Sequence, residues 1–138
     1  MEVDIITNSP KDYFSSVGDL SRLQCQCCKV NKMKISTMDR LNRLRHKTGI
    51  PLIVTSGYRC PKHNEEVSAT GRTGPHTTGH AVDLLVFGDR AYIILKYAAL
   101  FGFTGIGLDQ KGTHKERFIH LDDIDGDDNF IRPWLWTY

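Results

Sequence analysis

Apolar and polar positions along this chain follow two different rhythms, and the points where one gives way to the other mark its elements. Met38, Leu41 and Leu44 recur every three residues with Arg and Asn between them, and Gly49 follows as a stop. That spacing predicts an amphipathic helix capped by Ser36 or Thr37. Pro51 opens the run Leu52-Ile53-Val54-Thr55, closed by Ser56-Gly57, and this reads as a strand. Pro61 suits the first turn of a short helix through Asn64 to Val67. Ser68 to Gly79, rich in Gly, Thr and Ser, reads as a loop, and His80 to Phe87 as the next strand. Asp89 then caps a helix over residues 90–101 whose Ile93, Ile94, Tyr97, Ala98 and Phe101 share a stripe, with Gly102 at its end. Thr104 to Leu108 and Arg117 to Asp122 read as an antiparallel hairpin joined by the long polar turn Asp109 to Glu116. The tail Trp134-Leu135-Trp136-Thr137-Tyr138 is expected to dock on the body.

These elements make one α+β domain over residues 1–138, a small and mainly antiparallel sheet with packed helices. Composition agrees: 138 residues, 40% hydrophobic and 25% charged, with neither repeats nor a Pro/Gly/Ser linker. A chain of this length buries roughly 68% of its unfolded surface and needs no disulfide staples. The formal net charge of +2 gives no basis for nucleic-acid binding by charge. The longest apolar stretch, Ala91 to Phe103, is interrupted by Lys96 and is too short to span a bilayer. The amino terminus lacks the apolar region of a signal peptide. A monomer made in the cytoplasm, binding neither nucleic acid nor membrane, is the expectation.

Chemistry concentrates in two stretches. In Gly74-Pro75-His76-Thr77-Thr78-Gly79-His80-Ala81-Val82-Asp83, strand alternation puts Ala81 and Asp83 on one face and His80, Val82 and Leu84 on the other, so Asp83 can meet His76 above a small Ala81. In Arg117 to Asp122, Ile119 and Leu121 suit the core, which leaves Phe118, His120 and Asp122 opposite. Two imidazoles and a carboxylate around an open position suit catalytic zinc. His76, Asp83 and His120 are therefore candidate Zn2+ ligands on the sheet face, while alternation turns His80 towards a structural role. His46, near the end of its helix, suits the helix dipole.

Ser56-Gly57-Tyr58-Arg59, then Pro61, His63 and Asn64, then His76-x-x-Gly79-x-Ala81-x-Asp83, and last Phe118-Ile119-His120-Leu121-Asp122 resemble the M15 family of zinc peptidases, especially its short phage-borne members. The resemblance implies a mixed α/β fold, zinc held by His76, Asp83 and His120, and cleavage of peptidoglycan stem peptides, either D-alanyl-D-alanine or L-alanyl-D-glutamate. It also carries the family's arginine onto Arg59, whose planar fork suits a substrate carboxylate or an oxyanion. A phage endolysin or virion-associated enzyme, acting at the cell wall after release, is the implied setting.

One position departs from the pattern. Several M15 enzymes place an acid three residues before the last ligand, but here that residue is Arg117, which cannot accept a proton. Asp122, His114 and Glu116 remain as candidates for moving the proton, with Asp122 also suited to orienting a ligand imidazole. The alternative is a zinc-stabilised wall-binding or virion module without turnover.

Cys25-x-x-Cys28 and Cys60-x-x-His63 are metal-type pairs, yet Cys27 would be a spare thiol, so reduced, buried cysteines without metal are expected. In a calcium loop opening at Asp123-Ile124-Asp125-Gly126-Asp127, Asp128 and Trp134 stand where an EF-hand needs Gly and Glu, so the stretch reads as an acidic turn.

Overall fold

The computed structural model describes residues 12–138. Their elements run α1 (Val17–Leu23), α2 (Ile35–Thr48), β1 (Ile53–Ser56), α3 (Pro61–Val67), β2 (Ala81–Leu85), α4 (Gly88–Ala98), β3 (Gly105–Asp109), β4 (Phe118–Asp122) and β5 (Trp134–Thr137), with short 3-10 turns at Gly71–Thr73, Pro75–Thr78 and His114–Glu116. One five-stranded sheet has the order β1-β2-β4-β3-β5. The β1–β2, β2–β4 and β3–β4 pairs are antiparallel, and β3–β5 is parallel. The fold is α+β and its sheet is mainly antiparallel, as the pattern predicts.

Helix α2 begins earlier than its sequence suggests. Its N-cap is Lys34, without a side-chain cap, and neither Ser36 nor Thr37 serves. Thr37 is instead buried and donates its hydroxyl to Asp123 Oδ1 at 2.6 Å. Gly49 ends the helix at φ 68°, a left-handed conformation that glycine adopts without steric cost. Asp89 lies in the first turn of α4 rather than at its cap, which is Phe87, and the helix stops at Ala98, short of residue 101. The predicted stripe still faces inward: Ile94, Ala98 and Phe101 are buried, and Ile93 and Tyr97 pack against the core.

The alternation of the central strands decides where the core and the polar face lie. Val82, Leu84, Ile119 and Leu121 are fully buried in a core shared with Leu41, Leu44 and Ile94. Helix α1 had no sequence prediction. Ser16 caps it by accepting from the Asp19 N–H, and it contributes Leu23 to the core. The aromatic tail docks on the body as expected, and does so as the strand β5 beside β3. No helix among the described residues is long and apolar enough to cross a membrane.

Candidate metal centre

Asp83 and His120 are direct cross-strand partners in the β2–β4 ladder, so register alone sets the carboxylate beside the imidazole. His76 reaches the same point from the 3-10 turn Pro75–Thr78. One ligand atom from each of the three lies within 4.8 Å of the others. The rings of His76 and His120 meet edge to face, with centroids 5.1 Å apart.

Hydrogen bonds behind the two rings fix which nitrogens face inward. His76 Nδ1–H donates to the Gly57 carbonyl at 2.7 Å, which turns Nε2 to Asp83 Oδ1 at 3.3 Å. His120 Nε2–H donates to Asp122 Oδ2 at 2.8 Å, which turns Nδ1 to the same Asp83 oxygen at 3.2 Å. These tautomers follow from the acceptors behind each ring. Three lone-pair donors thus converge, and one positive charge satisfies them, either a proton on an imidazole or a cation. The two rings and the carboxylate form a donor set that suits zinc.

Electrostatics follow from the same contacts. Burial pushes the His76 pKa down. Burial acts on His120 in the same sense, but its hydrogen bonds to Asp122 and Asp83 outweigh it and the net shift is upward. Asp83 is desolvated, yet the charge of His76 and the hydrogen bonds of both rings hold its carboxyl well below the usual range.

Arg59 stands next to the cluster. Its Nε donates to Ser56 Oγ and one terminal nitrogen to Asn64 Oδ1, each at 3.0 Å. The other terminal nitrogen lies 3.5 Å from Asp83 Oδ2. Gly57, inside the turn that carries Arg59, passes so close to the Leu23 backbone that a Cβ would sit 2.6 Å from the Leu23 carbonyl oxygen. Asn64 is itself buried and donates to Thr70 Oγ1 at 2.8 Å, so the guanidinium is aimed by groups that are fixed in turn.

A cavity of about 280 Å³ opens on this site, lined by Arg59, His76, Asp83, Phe118, His120, Trp136 and Tyr138 among others. Asp122, His114 and Glu116 do not line it. Asp122 is fully buried behind His120 and accepts from two Arg132 nitrogens, Nε at 2.9 Å and a terminal nitrogen at 2.8 Å. His114 stacks on Phe87 with ring centroids 4.0 Å apart. Glu116 caps its own turn by accepting from the Thr113 N–H at 2.7 Å. Among the described residues lining the cavity, Asp83 has the one side-chain carboxylate. His80 is turned away from the cluster and bonds Asp123 Oδ1 at 2.9 Å. His46, in the last turn of α2, shares a hydrogen bond between its Nδ1 and the Tyr13 hydroxyl at 3.0 Å.

Trp136, Tyr138 and Arg132 were not foreseen at the site. The alternation of the tail was a legible sign for the first two, since Trp136 and Tyr138 share a face of any strand that includes them. Trp136 sits over His120 with ring centroids 5.0 Å apart. Gly107 makes that possible, because a Cβ there would enter the indole, and a Cβ at Gly105 would likewise enter the Asp122 carboxylate.

No curated protein and no solved structure matches the chain. A family model described as Peptidase M15 matches residues 18–122. That span covers most of the chain and contains Arg59, His76, Asp83, His120 and Asp122, and the protein belongs to the M15 peptidase family.

Proposed function

We propose that this chain is a zinc peptidase that hydrolyses a peptide bond in the stem peptide of peptidoglycan. The observation that carries the reading is the convergence of His76 Nε2, Asp83 Oδ1 and His120 Nδ1 beside Arg59 in a cavity of an M15 chain. His76, Asp83 and His120 would hold the metal. When bound, zinc supplies Lewis-acid activation of water and of the scissile carbonyl at neutral pH.

The chain's own residues do the rest. Arg59, with two of its nitrogens anchored on Ser56 and Asn64, directs its remaining nitrogen towards Asp83 and the cavity, where it can hold a substrate carboxylate or the charge of a tetrahedral intermediate. Stem peptides offer such a carboxylate at the terminal D-alanine and on D-glutamate. Trp136, Phe118 and Tyr138 wall the cavity and offer aromatic surface to a bound peptide. Asp122 keeps the His120 ring oriented. A cavity this small takes one or two residues of a short peptide in preference to a long extended chain.

A second reading is a zinc-stabilised wall-binding or virion module, supported by the absence of any side-chain carboxylate other than Asp83 among the described lining residues. Mass spectrometry of purified peptidoglycan, digested with and without chelator, separates the two. Chelator-sensitive stem-peptide fragments are expected, and their masses name the bond. Metal at the His76 site with no fragments would replace the peptidase reading with the module. A phage origin, as endolysin or virion component, belongs to the same proposal and is tested by lysis of cells from without.

A further inference from the structure

Outside the histidine site, the chain gathers its cysteines. The Sγ atoms of Cys25, Cys28 and Cys60 all lie within 4.8 Å of one another, although Cys60 is far away in sequence. Four thiolates around zinc at about 2.3 Å sit about 3.8 Å apart, so these sulfurs are close to that geometry without a shift of backbone. The sequence expectation of buried, inert thiols does not hold for all four: Cys27 and Cys28 are exposed.

The surrounding backbone is arranged for sulfur ligands. Residues 25–30 form a tight turn in which the Cys25 N–H donates to the Val30 carbonyl and the Lys29 N–H to the Cys25 carbonyl, both at 2.8 Å. Lys29 closes it at φ 61°, the one non-glycine residue with positive φ among the described residues. The Cys60 N–H points at Cys25 Sγ at 3.4 Å, and the His63 N–H at Cys60 Sγ at 3.5 Å. N–H groups aimed at sulfur favour thiolate. Cys27 lies in the same turn with an exposed thiol, outside the three-sulfur grouping. His63 takes part through its backbone, and its imidazole is not in the cluster.

We propose that Cys25, Cys28 and Cys60 form a second, structural zinc site, with the exposed Cys27 thiol of the same turn as the candidate for the fourth position. A single disulfide leaves two of these thiols unexplained, and a bond between the adjacent Cys27 and Cys28 leaves the Cys25–Cys28–Cys60 grouping unexplained. Soft thiolates in a tetrahedral set select zinc and close the site to substrate. Binding displaces the thiol protons to solvent. The position gives the site its role. It ties the α1–α2 connection to the turn preceding α3, where Tyr58 N–H already donates to the Leu23 carbonyl at 2.9 Å and Arg59 N–H to the His76 carbonyl at 3.1 Å. The clamp therefore holds the turn from which Arg59 and the Gly57 carbonyl reach the histidine site.

The test uses the full chain, purified under reducing conditions, with metal counted and cobalt then substituted for zinc. Two metals per chain are expected, with a thiolate-to-cobalt charge-transfer band. That band should persist in a His76→Ala/His120→Ala variant, which retains one metal, so failure of the peptidase reading does not touch the result. Cys28→Ser/Cys60→Ser should retain one metal without the band, and Cys27→Ser should weaken thiolate-site affinity at least tenfold. Titration of the unsubstituted chain with a mercurial reagent should release one zinc, a readout that needs no variant to fold. A reduced chain without the band, a band lost with the histidines, or an intact mass lighter by the hydrogens of a disulfide would each overturn the proposal. Unchanged affinity in Cys27→Ser would remove Cys27 from it.

Discussion

Asp122→Asn separates the two roles that sequence leaves open for this residue. In the structure the carboxylate is fully buried, accepts from two Arg132 nitrogens and holds His120 Nε2–H. Burial alone would raise its pKa, but the hydrogen bonds of His120 and Arg132, with their charges, bring it from 3.8 down to about 2. At about 1.4 kcal/mol per pH unit, that drop corresponds to about 2 kcal/mol of stability at neutral pH. Asparagine loses the charge and leaves Arg132, whose side chain is 6% exposed, without its counter-ion, so the total cost rises towards about 3–5 kcal/mol. Urea unfolding of the metal-free chain reads this, and Arg132→Met in the asparagine background should recover part of it. Weaker orientation of His120 should also lower metal affinity about 10- to 100-fold. Turnover at saturating zinc separates orientation from proton transfer: an orienting Asp122 leaves most of it, whereas a proton-accepting Asp122 does not. Unchanged stability and metal affinity, with turnover abolished, would refute the orienting account.

Other perturbations test neighbouring parts. His76→Ala and His120→Ala should each lose metal from the histidine site, read by metal analysis alongside the cobalt band of the thiolates; metal retained there in either variant would exclude that residue. Arg59→Lys keeps the charge and loses the fork, and should cut kcat/KM about 10- to 100-fold while metal content stays at the level of the unsubstituted chain. Lowering the pH should destabilise the metal-free fold in a defined window: the Asp122 contribution is fully present above about 4 and is lost as pH falls through about 2, because the folded pKa is the depressed one. Thr37→Val should cost about 1–2 kcal/mol, because the Thr37 hydroxyl bonds Asp123 in a buried setting, and should leave metal affinity untouched.

What could be read from sequence follows the range of each interaction. Asp83 and His120 were visible because strand alternation is local, and their pairing then needed only the β2–β4 register. The helix ends were legible where glycine imposed them, as at Gly49, and misplaced where packing decided, as at Lys34 and Ala98. Arg132 carries no sequence sign of its partner, since its bond to Asp122 depends on how the chain returns after β4 to place β5. The cysteines were legible as metal-type pairs, but a C-x-x-C spacing cannot show that Cys60, far away in sequence, brings its sulfur to Cys25 and Cys28. Asp122 was legible as a base or as an orienting group because its face was right; the partners that hold its two oxygens are set by tertiary contacts.

Strand β3 is built on a compromise that reaches past the site. Gly105 and Gly107 leave room for Asp122 and Trp136, and two glycines in four residues make Gly-Ile-Gly-Leu a weak sheet former whose register its own side chains specify poorly. In the folded chain both of its sides are paired, by β4 and by β5. Detachment of β5 would turn this segment into an open edge with unpaired backbone groups, the arrangement through which chains add to one another strand by strand. The aromatic tail is thus also a guard against self-association: a chain cut ahead of Trp134 should form strand-exchanged oligomers on sizing columns, at concentrations where the uncut chain does not.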